Sequence, residues 1–183
     1  MKRMQTATSP DLRFPVGRYM PPEPITAEHR RQWIAELADA PAAFRAAVAG
    51  LSDEQLDTPY RPDGWTVRQV AHHVPDSHLN SYVRFRLALT EDNPVVKPYD
   101  EALWAELPDA KSMPVEVSLR LLETLHQRWV TLLNAMTPEQ FARTFVHPGM
   151  KLTVTLDWSV GLYAWHSRHH AAHITALRER MGW

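Results

Sequence analysis

Apolar positions recur at helical spacing in four long stretches separated by proline-rich connections. The third stretch is the most regular. Val115, Leu119, Leu122, His126, Trp129, Leu133 and Met136 alternate steps of four and three residues, which keeps one stripe on one face of an α-helix and suits the seam of a packed bundle. A first helix is predicted after Thr26, a good N-cap, over residues 27–51. Pro41 lies inside it, lacks an N–H, and is expected to kink or divide it. The capping box Thr66-Val-Arg-Gln69 opens a second helix that should reach about Leu89. The last helix is expected from about Leu156 to Arg180, with Gly182 just past its end.

The connections have their own signals. Ser52-x-x-Gln55 is a second capping box and marks a short helical turn at 52–56. Residues 90–114 form a long crossover with four prolines and a turn of helix expected around Trp104. A connection of that length is uncommon unless it has a task. Pro114 suits the first position of the third helix. Residues 137–141 read as a capped turn, and 143–155 as a small hairpin around His147-Pro148-Gly149. Residues 1–25 read as an irregular segment packed on the domain, and 26–183 as a single domain. With no strand–helix alternation and no internal repeat, the pattern predicts an all-α, four-helix bundle. Its long crossover joins helices two and three, and the hairpin precedes helix four.

Composition narrows the function classes. A chain of 183 residues with 44% apolar content suits one hydrophobic core. A formal net charge of −1 gives no basic excess for nucleic acid or an anionic membrane surface. No apolar run approaches the ~18 residues of a membrane span, and the first residues lack the apolar stretch of a secretory signal. A soluble, cytoplasmic protein is expected. The chain has no cysteine, which excludes disulfides, thiolate ligands and a cysteine nucleophile. Any metal site must use nitrogen and oxygen.

Candidate chemistry lies in the histidines. Residues 166–173, His-Ser-Arg-His-His-Ala-Ala-His, place four imidazoles on the last helix. His166 and His170 share a face, as do His169 and His173, and either pair could hold one metal ion. The second helix offers His72, His73 and His78. Projected at about 100° per residue, Val67, Val74, His78, Phe85 and Leu89 form its apolar face. His73 lies to one side, with Ser77, Asn80 and Arg84 along the same line, a stripe that could line a polar pocket. His72 with Asp76 reads as a surface pair, and His78 as a buried, hydrogen-bonded residue. Pro75 leaves the Ala71 carbonyl without its helical donor. His126, on the apolar seam, reads as a core histidine or as a proton carrier beside the site. His147 reads as a turn residue.

The stretches GWTVRQVAHHVPDSHLNSYVRFRLALTEDNPVVKPYDEALWAEL and LYAWHSRHHAAHI closely resemble the DinB superfamily, and within it the YfiT-like metal-dependent hydrolases and the bacillithiol transferases. The resemblance runs from about Asp11 to Trp183. It implies a four-helix bundle, a homodimer, and a zinc or nickel ion held by three histidines. His73-Val-Pro-Asp76 matches the family's ligand motif on the second helix, and His166 and His170 match the pair on the last. His173 stands where relatives often have Gln, and Pro75 where they commonly have Ala.

A three-histidine site leaves positions open for reactants. The metal can lower the pKa of a bound water to about 7 or convert a bound thiol to a thiolate. The favoured expectation is S-transfer from a small-molecule thiol of the bacillithiol type to an electrophile. Hydrolysis by metal-activated water is the alternative, with His126, His173 or Asp76 as base. A metal-binding stress-response protein without turnover is the third reading. Catalytic roles are expected of His126 and His173, and substrate contacts of Asn80 and Arg84.

Overall fold

The computed structural model describes residues 11–183. Residues 1–10, part of the expected irregular segment and of the stretch read as lacking a signal sequence, lie outside the described residues. The elements run α1 (Ala27–Val48), α2 (Asp53–Leu56), α3 (Val67–Thr90), α4 (Glu101–Ala105), α5 (Pro108–Ser112), α6 (Val115–Ala135), α7 (Pro138–Phe141), β1 (Thr144–His147), β2 (Leu152–Thr155) and α8 (Leu156–Met181). The strands pair antiparallel with Phe145 opposite Val154, and a single parallel bridge from Val95 to Val146 ties the crossover to the hairpin. No helix among the described residues is long and apolar enough to cross a membrane.

Local signals set most boundaries. The side chains of Thr26, Ser52, Thr66 and Thr137 each accept from the backbone three residues on, and His29, Gln55, Gln69 and Gln140 return a bond to the cap backbone. Each such cap satisfies donors that the first helical turn leaves free. Gly182 ends α8 in the left-handed conformation at φ 70°, where a side chain would be strained. Three expectations shift. Pro41 does not divide the first helix, which runs unbroken to Val48, and Pro114 sits at the N-cap of α6 rather than inside it. The crossover holds two short helices, α4 and α5, rather than one turn.

The four long helices form a bundle in which α1 packs on α8 and α6, and α3 packs on α6 and α8. Consecutive helices α1 and α3 therefore face each other across the diagonal, as do α6 and α8. The core consists of two apolar clusters. One gathers Trp33, Leu37, Phe85, Trp129, Leu133 and Val160; the other gathers Phe44, Val67, Val70, Leu122, Ile174 and Leu177. Following the chain from one cluster to the other gives the directions: α1 runs with α8, and α3 with α6, opposite to the first pair. Neighbours that run parallel cannot be joined by a tight turn, so the connection from α3 to α6 must return along the length of the bundle. That is the physical reason for the long crossover. The four histidines of α8 and His78 of α3 fall between the two clusters, with His126 bonded to His78, so a polar layer divides the core.

Residues 11–25 are irregular and lie on α8. Tyr19 donates its hydroxyl to the Trp158 carbonyl at 2.9 Å, and the Trp165 indole donates to the Gly17 carbonyl at 3.1 Å. A Cβ on Gly161 would stand 2.9 Å from the Trp33 ring and overlap the Tyr19 hydroxyl, so glycine is what allows this close approach.

Candidate metal centre

His73 projects from α3, and His166 and His170 from successive turns of α8. One nitrogen of each lies within 4.8 Å of the others. The Nε2 atoms of His73 and His166 are 3.4 Å apart. Zinc–nitrogen bonds of about 2.0–2.1 Å at a tetrahedral angle put two ligand nitrogens about 3.4 Å apart, so this spacing fits a metal. His73 and His170 are buried, and His166 between them is partly buried. Burial, reinforced by the neighbouring imidazoles, disfavours the charged form and lowers their pKa values: His73 to about 4, His166 and His170 well below the usual histidine range. At pH 7 they are neutral, the state a metal requires of imidazole. The Nδ1 of His170 is buried without a hydrogen-bond partner among the described residues.

A second cluster, His169, His170 and His173, also has nitrogens within 4.8 Å of one another. It shares His170 with the first. The Nε2–H of His173 donates to the Arg13 carbonyl at 3.3 Å, and its ring stacks on Tyr60 with centroids 4.0 Å apart. His169 stacks on Trp165 at 4.4 Å. Arg61 lines the small hollow beside this group, and its positive charge opposes a cation there. Adjacent positions on one helix also point about 100° apart. The first cluster is the better fit.

The first cluster opens into a cavity of about 440 Å³. Trp65, Phe145, Met150, Val154, Trp158 and Leu162 supply apolar walls, and Ser77, Ser81, Arg84, Glu101, His147 and Tyr163 supply polar atoms. The hairpin and crossover thus close the cavity between α3 and α8. Arg84 is 9% exposed, and its one hydrogen bond among the described residues is a long 3.5 Å contact to the Lys97 carbonyl. Burial, with the nearby Arg84 charge, lowers the pKa of His147, so it is neutral at pH 7.

The other expected residues lie elsewhere. Asn80 does not line the cavity; its amide donates to the Asp76 carbonyl at 2.9 Å on its own helix. His126 does not line it either, and is buried against His78 and the Leu37 carbonyl. His173 lies behind His170, in the smaller hollow. His72 is not a surface pair with Asp76. It is 6% exposed, takes the Ser118 hydroxyl at Nδ1 (2.7 Å) and donates from Nε2 to the Met113 carbonyl (3.1 Å), so both nitrogens are engaged. Asp76 is half-buried, and desolvation with the Asp109 charge raises its pKa to about 6. His147, read as a turn residue, instead ends β1 and lines the cavity. Trp65, whose ring lies 4.6 Å from that of His73, is a wall that helical periodicity could not reveal because it precedes the helix. Tyr163 was within reach of that logic, three residues before His166 on the same face.

The comparisons with known proteins agree with this architecture. The chain matches the DinB superfamily over residues 36–174. It is 53% identical over 176 residues to "Putative metal-dependent hydrolase YfiT" of Bacillus subtilis, covering 96% of this chain and 99% of that protein. It is 56% identical over 173 residues to a protein of Bacillus cereus strain AH820 with the same metal-dependent hydrolase description, covering 94% and 99%. The solved structure of Bacillus subtilis YfiT, described as an unusual four-helix bundle, superposes with a TM-score of 0.92 at 53% identity over 94% of this chain and 98% of the other. With a family match over most of its length and near-complete coverage of relatives at more than half identity, the chain belongs to the DinB superfamily.

Proposed function

We propose that His73, His166 and His170 hold one divalent ion, zinc or nickel, and that the protein is an enzyme acting at that ion on a small molecule in the adjoining cavity. The observation that carries this reading is the set of three neutral imidazoles at ligand spacing, two buried and one partly buried, opening into a cavity large enough for a small substrate. The ion would supply a Lewis acid that makes a bound water or thiol a stronger nucleophile at neutral pH.

Within that reading we favour transfer of a low-molecular-weight thiol, of the bacillithiol type, to an electrophile. The chain has no cysteine, so the sulfur arrives with the substrate. Arg84 is a buried cation without an acidic partner among the described residues, and buried charges call for a counter-ion. It suits a carboxylate on the incoming thiol. The apolar walls of Trp65, Met150 and Trp158 suit an uncharged electrophile. In the step itself the sulfur forms a bond to the electrophilic carbon and the leaving group departs with its bonding pair. The thiol proton passes to His147 or to water. His126 and His173 are assigned supporting roles around the ligands.

Hydrolysis is the second reading. It is favoured by Glu101 and neutral His147 on the same cavity wall, either of which could take a proton from water, and by the hydrolase description of the relatives. The test is turnover by zinc- and nickel-loaded protein. A panel of thiols with monochlorobimane is compared with a panel of esters and amides. Thiol-dependent bimane fluorescence supports transfer; hydrolysis alone supports the second reading; neither, with metal bound, leaves a binding protein.

Two further proposals follow. We propose a cytoplasmic homodimer; exposed Leu79 and Val83 on α3 and Val117 and Leu121 on α6 are apolar side chains that a second copy could cover. Sedimentation velocity of the wild type and of Val83→Lys tests it. The net charge of −1 argues against a nucleic-acid partner.

A further inference from the structure

The hydrogen bonds behind His166 form an ordered chain across the core. It begins at Pro41. Proline has no N–H, so within continuous α1 the Leu37 carbonyl lacks its helical donor. His126 Nδ1 lies 2.6 Å from that oxygen. Its Nε2 lies 2.8 Å from His78 Nδ1, and His78 Nε2 lies 3.1 Å from His166 Nδ1. His166 Nε2 is then the atom that faces His73.

The proton positions follow one from another. A carbonyl only accepts, so His126 must carry its hydrogen on Nδ1. A neutral imidazole has one N–H, which leaves a lone pair on His126 Nε2. His78 must therefore donate from Nδ1, and its Nε2 is an acceptor. His166 must donate from Nδ1 in turn, and its lone pair is on Nε2. The rings of His78 and His126 lie within 21° of each other in plane and those of His78 and His166 at 49°; both are compatible with a hydrogen bond, since rotation about the N···N axis keeps the donor and the lone pair in line. Trp129 and Tyr163 meet the His78 ring edge-on at 86° and 88°, which limits its rotation. His78 is 0% and His126 2% exposed, so water does not offer alternative partners.

We propose that His78 and His126, anchored on the carbonyl that Pro41 leaves free, are positioning residues that fix His166 as the Nδ1–H tautomer with its Nε2 lone pair aimed at the metal position. The proposal rests on the metal-centre reading above. It gives the proline inside α1 a role three imidazoles away from it. It also makes the ligands unequal: His166 is fixed through two further rings, whereas His170 has a buried Nδ1 with no partner among the described residues. Hydrogen bonds of this kind orient metal ligands, and their loss typically weakens metal binding about 10–100-fold.

The test uses the metal-free, ¹⁵N-histidine-labelled full chain at neutral pH, with ring tautomers read from long-range ¹H–¹⁵N correlations. The expected result is Nδ1–H for His166, His78 and His126 alike. An Nε2–H form at His166 or His78 overturns the proposal, whether or not any metal binds. Zinc affinity is then measured by competition with a chromophoric chelator. His78→Phe should bind zinc about 10–100-fold more weakly and leave His166 in mixed tautomers. His78→Gln, whose side-chain oxygen can still accept from His166, should stay within a few-fold of the wild type. Wild-type affinity and an unchanged His166 in His78→Phe would sink the idea. Should His78→Phe not fold, the wild-type tautomers still decide. If the wild type takes up no zinc or nickel, the metal-centre reading fails, while the spectra still report on the chain.

Discussion

His73 and His166 bring their Nε2 atoms to 3.4 Å from positions 93 residues apart in the chain. Two nitrogens of neutral rings gain little by facing each other across such a gap unless something positive sits between them. This predicts that alanine at His73, His166 or His170 removes most bound metal, as read by elemental analysis of purified, untagged protein. His72→Ala should keep it, since both nitrogens of His72 are already engaged. His169→Ala and His73→Ala separate the two histidine clusters. Loss in the first with retention in the second would move the metal to the His169–His170–His173 group, and two equivalents in the wild type would mean that both groups are filled.

The same burial predicts how the metal-free protein responds to acid. His73 is held at about 4, below the ordinary histidine value of 6.5. Between those values the unfolded chain binds a proton that the folded chain does not. Stability therefore falls as pH drops from about 6.5 to about 4 and levels below that. A shift of that size is worth up to about 3 kcal/mol for His73; the neighbouring histidines act in the same direction. Asp76 opposes them. Its pKa is raised to about 6, so its contribution to stability improves as pH falls through that value. The urea midpoint of metal-free protein should decline from pH 7 to pH 4, and Asp76→Asn should make the decline steeper. A flat profile would mean that these rings are hydrated.

Gly161 offers a check on how closely α8 is packed. Alanine is normally the better helix residue by about 1 kcal/mol. At this position its Cβ would stand 2.9 Å from the Trp33 ring and overlap the Tyr19 hydroxyl. Overpacking of this kind costs about 1–3 kcal/mol, so Gly161→Ala should lower stability on balance. A urea midpoint above wild type would show that the N-terminal segment yields instead.

The helices were legible in the sequence because their signals are local. Threonine and serine caps and the alternating stripe from Leu119 to Leu133 act within a few residues. The candidate ligand on α3 was legible because His73 and His78 differ in their helical face. What periodicity does not carry is which element covers a face. His72 read as a surface residue because nothing in its own helix announces that Ser118 and the Met113 carbonyl close over it. Pro41 read as a kink or a break because the donor that replaces its missing bond comes from α6. His147 and Trp65 reach the cavity from a strand and a loop, where spacing gives no direction. Asn80 and Arg84 lay on one projected line, yet only Arg84 turns inward.

That last difference is testable at the substrate. Arg84 is buried in the cavity wall without an acidic partner among the described residues, and a carboxylate on the substrate would complete it. A charge-assisted hydrogen bond contributes about 1.5–3 kcal/mol, so Arg84→Met should raise KM roughly 10- to 100-fold for carboxylate-bearing thiols while leaving metal content intact. An analogue lacking the carboxylate should show no such penalty. Asn80→Ala should leave KM unchanged to within about twofold, because its amide is spent on the Asp76 carbonyl. Equal effects from both variants would place the substrate along the outer line of α3 rather than in the cavity, and Arg84 would then be a structural cation.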